Sequence, residues 1–169
     1  VASALYRGHE VAVHTLTHPG LYALSDKELA KELREDKKNL EERFGQKMIG
    51  MAYPFGDCDE RIMKAVSDQG LLYGRCVETT EKFDLPENPL CWKGTCHHNN
   101  PKLMQLADEF LSDGTDLRLF YIWGHSYEFD VDRSWATMED FCAKMAYRED
   151  VWYATNGEIV LWMKENNLI

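Results

Sequence analysis

His14 and His18 stand four residues apart, just beyond the short apolar run Val11–Val13 and just before Pro19-Gly20. The run suits a buried strand, and Pro-Gly ends regular structure. Two imidazoles past a strand end can converge on one cation, because neutral imidazole is a common ligand for zinc and related metals. A His-x-x-x-His spacing alone also fits a pair of loop residues. Other chemistry-bearing residues occupy similar places. Tyr53-Pro54-Phe55-Gly56 follows the strand candidate Met48–Ala52. His97-His98 follows Leu90–Thr95, and His125 follows Leu117–Trp123, the most hydrophobic strand candidate of the chain.

The elements that position these residues can be read from pattern and punctuation. Ser25 with Glu28 forms a capping box opening a helix through Leu29, Leu33 and Leu40, closed at Gly45. Asp57 with Glu60 reads as a second box, before a helix with Ile62, Met63 and Val66 on its apolar face and Gly70 at its end. Leu71–Val77 reads as a strand and Thr79–Pro89 as a loop. Pro101 suits a helix start, with Leu103, Leu106, Phe110 and Leu111 facing a core. Met138, Phe141, Cys142 and Met145 mark a further helix. Val151–Ala154 reads as a last strand, and Thr155 with Glu158 as a third capping box opening a terminal helix. Strands and helices alternate, which predicts one α/β domain over residues 1–169 with a mainly parallel sheet. In such folds ligands bind beyond the carboxyl ends of strands. His14, Tyr53-Pro54-Phe55, His97-His98 and His125 are therefore expected on one face.

Composition narrows the partners. The chain has 169 residues, 44% hydrophobic, with a formal net charge of -10. That balance disfavours nucleic acid and anionic membrane surfaces and suits a neutral substrate. No run of about 18 apolar residues suggests a membrane span, and no signal peptide is evident. Five cysteines, Cys58, Cys76, Cys91, Cys96 and Cys142, are an odd count without a disulfide framework. They read as reduced thiols, which favours a cytoplasmic location.

The chain resembles the polysaccharide deacetylases, the carbohydrate esterases with the NodB-type fold. Gly8-His9-Glu10-Val11-Ala12-Val13-His14-Thr15-Leu16-Thr17-His18 is similar to that family's His-Ser/Thr-x-x-His metal motif with its leading strand. Ala52-Tyr53-Pro54-Phe55-Gly56 falls where the family has Arg-Pro-Pro-Tyr-Gly. Phe120-Tyr121-Ile122-Trp123-Gly124-His125 falls where an apolar strand delivers the catalytic histidine. The resemblance implies an incomplete (β/α) NodB-type deformed barrel and removal of N- or O-linked acetyl groups from a carbohydrate by metal-activated water. It implies His14 and His18 as ligands of a divalent metal: zinc, or else cobalt or another divalent ion. It further implies His125 as the general acid and the backbone amide of Phe55 as an oxyanion donor. Tyr53, Pro54, Trp92, His97, His98 and Trp123 would then line the substrate groove, Trp123 near a leucine of the acetyl pocket. Glu128 and Asp130 are the carboxylates near enough in sequence to orient His125, whereas His9 reads as a surface residue before its strand.

The family's Asp-Asp strand end, which supplies base and third metal ligand, has no counterpart here and would lie before Val1. Ala52 replaces an arginine that pairs with that base. The chain opens on Val1 rather than Met and enters a strand almost at once. The expectation is a domain lacking its first strand-helix units, weakly active by itself, and prone to pair with itself through an exposed sheet edge. The alternatives are a non-catalytic remnant that binds metal or sugar, and another α/β-barrel metal hydrolase acting on a small amide.

Overall fold

A computed structural model describes residues 2–112, 114 and 117–169. The elements, in chain order, are α1 (Ala2–Leu5), α2 (Asp26–Phe44), β1 (Gly50–Ala52), α3 (Glu60–Asp68), β2 (Tyr73–Thr79), β3 (Trp92–Gly94), β4 (Cys96–His97), α4 (Leu103–Leu111), β5 (Ile122–Trp123), α5 (Glu128–Val131), α6 (Trp135–Met145) and α7 (Asn156–Glu165). Strand order is β1-β2-β3 in one sheet and β4-β5 in the other. The β1–β2 ladder is parallel, with Ala52 opposite Arg75, and β4–β5 is parallel, with His97 opposite Trp123. Among the described residues neither sheet closes on itself. The mainly parallel α/β architecture expected from the sequence is present.

The chain forms two compact units. One comprises residues 1–77, 86–92 and 154–169, the other residues 78–85 and 93–153. The first is built on a core of Val13, Leu21, Leu29, Leu33, Met48, Met51, Tyr53, Ile62, Val66, Leu71 and Cys76. Helix α2 joins it through Leu29 and Leu33, which are one turn apart on the same face. Its capping box is as expected, with the Ser25 hydroxyl accepting from the Glu28 amide and the Glu28 carboxylate accepting from the Ser25 amide. Gly45 ends the helix in the left-handed conformation, at φ 68°. The Thr155–Glu158 box opens α7 in the same way. Glu10 ties this helix down, its carboxylate accepting from the Gly157 amide at 2.9 Å and from the Tyr73 hydroxyl at 2.9 Å. A carboxylate at a helix N-terminus also meets the positive end of the helix dipole.

Several expected elements differ. The cap of α3 is Asp59, which accepts from the Ile62 amide at 2.8 Å. Asp57 instead accepts from the Leu21 amide at 2.7 Å, a tertiary bond no local pattern announces. The strand expected at Val11–Val13 is reduced to a single parallel bridge from Val13 to Met51. Leu117–Trp123 contributes only Ile122–Trp123 as strand, and Val151–Ala154 is not a strand. In the second unit Cys96, Leu103 and Leu106 form the core, with Phe83, Phe120, Ile122 and Phe141 packed on it.

Candidate active-site clusters

The expected site residues fall into two clusters, one in each unit. In the first unit, Val13 is fixed on both sides of its peptide. Its amide donates to the Gly50 carbonyl at 2.9 Å, and its carbonyl accepts from the Ala52 amide at 3.0 Å. With Val13 buried in the core, His14 emerges at the end of β1. Its Nδ1 lies 2.7 Å from the Ala52 carbonyl oxygen. A carbonyl can only accept, so this nitrogen carries the proton and Nε2 keeps its lone pair. Metal-ligating histidines are held in this way, the second ring nitrogen donating to a carbonyl or carboxylate.

The chain then turns sharply, with Thr15 at φ 67° and His18 at φ 56°. Left-handed backbone at non-glycine residues carries strain that surrounding contacts must hold. Here α2 holds it. The Thr17 amide and hydroxyl both donate to Glu32, at 2.8 and 2.8 Å. One helical turn on, Asp36 accepts from the His14 amide at 2.9 Å. The Thr15 hydroxyl accepts from the His18 amide at 3.1 Å. The turn brings the His14 and His18 rings to 4.7 Å between centroids, and the Phe55 ring stands 4.7 Å from that of His18.

Burial in this cluster favours neutral imidazole at His14. Desolvation is the main cause holding its pKa below the usual histidine range. The Ala52 hydrogen bond opposes that shift, while His18 and Arg75 reinforce it. Burial pushes Asp36 up, against the His14 amide that favours its charged form. A neutral imidazole with a free Nε2 suits a divalent cation, so the donor chemistry of His14 fits the metal that the sequence suggested. Among the described residues, no third His, Cys, Asp or Glu joins His14 and His18 with donor atoms all within 4.8 Å.

Phe55 lies in the short 3-10 turn Pro54–Gly56, at φ 57°. Its ring is 65% exposed. Amides in the first turn of a helix have no intrahelical acceptor, and the Phe55 amide belongs to such a turn. Gly56, at φ 81°, cannot be replaced cheaply, since an added Cβ would press on the Val77 side chain.

The second cluster gathers three imidazoles around one carboxylate. Glu128 takes the His125 amide at 3.0 Å and faces the His125 Nδ1 at 3.2 Å. Its Oε2 also lies 3.1 Å from His97 Nε2 and 3.5 Å from His98 Nε2. Desolvation works to raise Glu128, but the His125 amide and ring outweigh it and hold the carboxyl below its ordinary range. Desolvation likewise keeps His98 below the usual histidine range, aided by His97. His125 is half-exposed and is held at both its amide and its ring by Glu128. Asp130 instead accepts from the Trp135 indole at 2.8 Å.

Other expected site residues lie inside the protein. Tyr53, Trp92 and His98 are only 1%, 1% and 5% exposed, and Pro54 is buried too. The Tyr53 hydroxyl donates to the Leu90 carbonyl at 2.7 Å, and Trp92 packs edge-on against Tyr73. Trp123 is half-buried, its ring 4.6 Å from that of His97. His9 is exposed, as the sequence suggested.

Two participants, Asp36 and Arg75, were not named from sequence, and a third, His97, has a different role from the one expected. Asp36 carried only the weak signal of an acidic i, i+4 pair with Glu32 on one helix face. Arg75 is a charged residue in the middle of a strand, and the ladder sets it opposite Ala52, the position where the resembled family has arginine. His97 emerged as a partner of Glu128 rather than of a sugar.

Comparison with known proteins bears on what these clusters belong to. Residues 1–74 match the polysaccharide deacetylase family model. Chitin deacetylase 1 of Cryptococcus neoformans is 31% identical over 64 residues, a stretch that is 38% of this chain and 14% of that protein. Three solved structures share the fold. A Mycobacterium smegmatis protein assigned to the polysaccharide deacetylases aligns over 99% of this chain and 67% of its own length, at 17% identity and a TM-score of 0.65. The wild-type CE4-family pseudoenzyme of Bacillus anthracis aligns over 85% of this chain and 45% of its own, at 16% identity and TM-score 0.53. The family 4 carbohydrate esterase of Streptomyces lividans, solved with acetate, aligns over 83% and 67%, at 15% identity and TM-score 0.51. The chain thus spans only a small part of the curated relative, and no more than about two thirds of these structures. The first 74 residues of this chain match the polysaccharide deacetylase family model, and its fold is of the NodB type.

Proposed function

We propose that this chain is part of a hydrolase that removes N- or O-linked acetyl groups from a carbohydrate. The observation that carries the reading is the His14 ring, whose Nδ1 is committed to the Ala52 carbonyl at 2.7 Å while His18 stands beside it. That arrangement suits two imidazole ligands for a divalent cation: zinc, cobalt or a similar ion. When bound, such a cation lowers the pKa of water and polarises a carbonyl.

The chain's own residues supply the rest. In the first unit, Phe55 offers its amide to an oxyanion and its exposed ring to a sugar face. Asp36 and Glu32 hold the strained turn that presents His14 and His18. In the second unit, His125 donates the proton taken by the departing amine or alkoxide. Glu128 fixes its ring orientation. Trp123 adds a half-buried aromatic face. Tyr53 and Trp92 are buried in the first unit, and His98 is buried beside Glu128 in the second.

The test is acetate release from acetylated chitooligosaccharides and acetylxylan, with added zinc or cobalt. The 169-residue chain should turn over slowly, since no third donor completes the His14–His18 pair among the described residues. His125→Ala should lower that rate by about 10²–10⁴-fold. Glu128→Gln should cost a smaller part of it, in kcat rather than KM. Acetate release that survives His125→Ala would remove His125 from this role. The incomplete donor set also favours a second reading, cation or sugar binding without turnover. Tight cation binding through His14 and His18 with no acetate release from any substrate would establish that reading instead.

A further inference from the structure

Cys58, Cys76 and Cys91 are separated by long stretches of sequence, yet their Sγ atoms all lie within 4.8 Å of one another. Each comes from a different element. Cys58 sits in the turn before α3, Cys76 on β2 with its side chain in the core, and Cys91 in the 3-10 turn Pro89–Cys91. The Cys76 and Cys91 sulfurs are 3.6 Å apart. That is well beyond the roughly 2.05 Å of a disulfide. It is close to the ~3.8 Å that separates two thiolates on one tetrahedral cation with bonds of about 2.3 Å.

The surroundings suit a thiolate cluster. The Cys58 thiol is lowered to about 7, chiefly because the Cys76 thiol hydrogen-bonds to it, with Cys91 and the Tyr53 hydroxyl adding to the effect. Cys76, by contrast, is pushed up by its place beside Cys58 and by burial. Cys58 and Cys91 are half-buried and Cys76 is buried. A cation therefore has a route in and a protected floor. Tyr53 is fixed by its bond to the Leu90 carbonyl, which also faces the Cys58 sulfur at 3.7 Å.

We propose that Cys58, Cys76 and Cys91 form a three-thiolate site for a soft divalent cation of the zinc class, separate from the imidazole pair at His14 and His18. Thiolate sulfur selects soft cations over magnesium or calcium, which prefer oxygen. Each ligating thiol releases its proton to solvent, and solvent fills the fourth position on the half-exposed side. The site would pin the turn before α3 and the turn Pro89–Cys91 to β2.

The test uses the reduced full chain and cobalt(II) as the probe, under anaerobic conditions. Cobalt held by thiolates gives an intense near-ultraviolet sulfur-to-metal band, which imidazole ligands cannot produce. The band should appear and persist in the His14→Ala/His18→Ala variant. Its survival or loss is thus independent of the deacetylase reading. Cys58→Ser and Cys91→Ser, at half-exposed positions, should each weaken cobalt binding beyond the roughly 10–100-fold typical of losing an outer partner. Cys142→Ser, at an exposed residue of the other unit, should change nothing. Cobalt uptake without the band, or a band intact in both Cys58→Ser and Cys91→Ser, would overturn the proposal. So would a reduced protein that takes up no cobalt while air oxidation joins Cys76 to Cys91.

Discussion

Replacing Gly124 by alanine tests how His125 is held. Gly124 precedes His125 and lies against the His98 ring. A Cβ at this position would fall within contact radius of three ring atoms; even the farthest, Cγ, would be 2.9 Å away, where ordinary contact begins at 3.4 Å. The ring must therefore shift by about half an ångström at its most tolerant point, and further at Nδ1 and Cε1. It has little room, lying 4.3 Å from the His97 ring on one side and 4.5 Å from the Phe129 ring on another. His98 is 5% exposed, so it cannot swing into solvent. Overpacking of this kind typically costs about 1–3 kcal/mol. At about 2–4 °C per kcal/mol for a chain of this size, thermal unfolding should begin ~2–12 °C lower. The shift should also pull His98 from Glu128 and loosen the carboxylate that orients His125. Circular dichroism gives the melting temperature. A double-mutant cycle with His98→Ala gives the coupling, because the added methyl should cost much less once the ring is gone. A Gly124→Ala protein that melts within about 1 °C of the parent, with no coupling to position 98, would refute this account of the second cluster.

Two further outcomes follow from the same geometry. Elemental analysis of protein purified with zinc or cobalt present should show one imidazole-bound equivalent lost in His14→Ala and in His18→Ala; equal content in all three proteins would refute the pairing. Stability should also depend on pH through His14 and His98, whose folded pKa values are both depressed. The unfolded chain takes up protons below about pH 6.5 while the native form resists them. Stability is therefore full above that value and falls as the pH drops toward the folded pKa values. Raised Asp36 acts in the opposite sense at lower pH, so urea unfolding between about pH 5.5 and 7 is the informative window. His98→Gln should flatten the slope there, and an unchanged slope would contradict the assignment.

The parts of this molecule legible in sequence are those whose partners are close in sequence. The Ser25–Glu28 and Thr155–Glu158 boxes close over three residues, so a short pattern suffices. His14 and His18 are readable for the same reason. The second box, read at Asp57, lies two residues from the true cap because acidic residues at 57 and 59 look alike locally, and only the fold gives Asp57 to the Leu21 amide. Val151–Ala154 has strong strand propensity, but a strand is defined by a partner ladder and propensity cannot provide one. Trp92 and Tyr53 suggested sugar contacts because aromatic faces suit both a ligand and a core; burial decided for the core. The thiol cluster has no short spacing to announce it, since its three residues meet only once the turn before α3, β2 and the Pro89–Cys91 turn are assembled.

Arg75 gives the most direct test of how the first cluster is tuned. Ala52 stands where the resembled family has arginine, and the parallel ladder puts Arg75 opposite it on the neighbouring strand. The guanidinium bears on His14, lowering its pKa after the larger effects of desolvation and His18. Holding His14 neutral keeps its Nε2 available as a ligand while its Nδ1 donates to the Ala52 carbonyl. Replacing Arg75 with glutamine should therefore raise the His14 pKa. The rise should be well below that from removing burial, because a charge acting through partly solvated surroundings is weakened by water and salt. The direction matters more than the size. A higher His14 pKa means that more of the imidazole is protonated near neutral pH, and cation binding must then displace that proton. Affinity should begin to fall at a higher pH in Arg75→Gln than in the parent as the pH drops below about 6.5, and the two should converge above that value. Proton NMR of the His14 ring, with zinc titrations at several pH values, reads both quantities. A His14 pKa that stays fixed or drops in Arg75→Gln would show that Arg75 serves the strand rather than the histidine. The cation affinity of this cluster would then rest on burial and the Ala52 carbonyl alone.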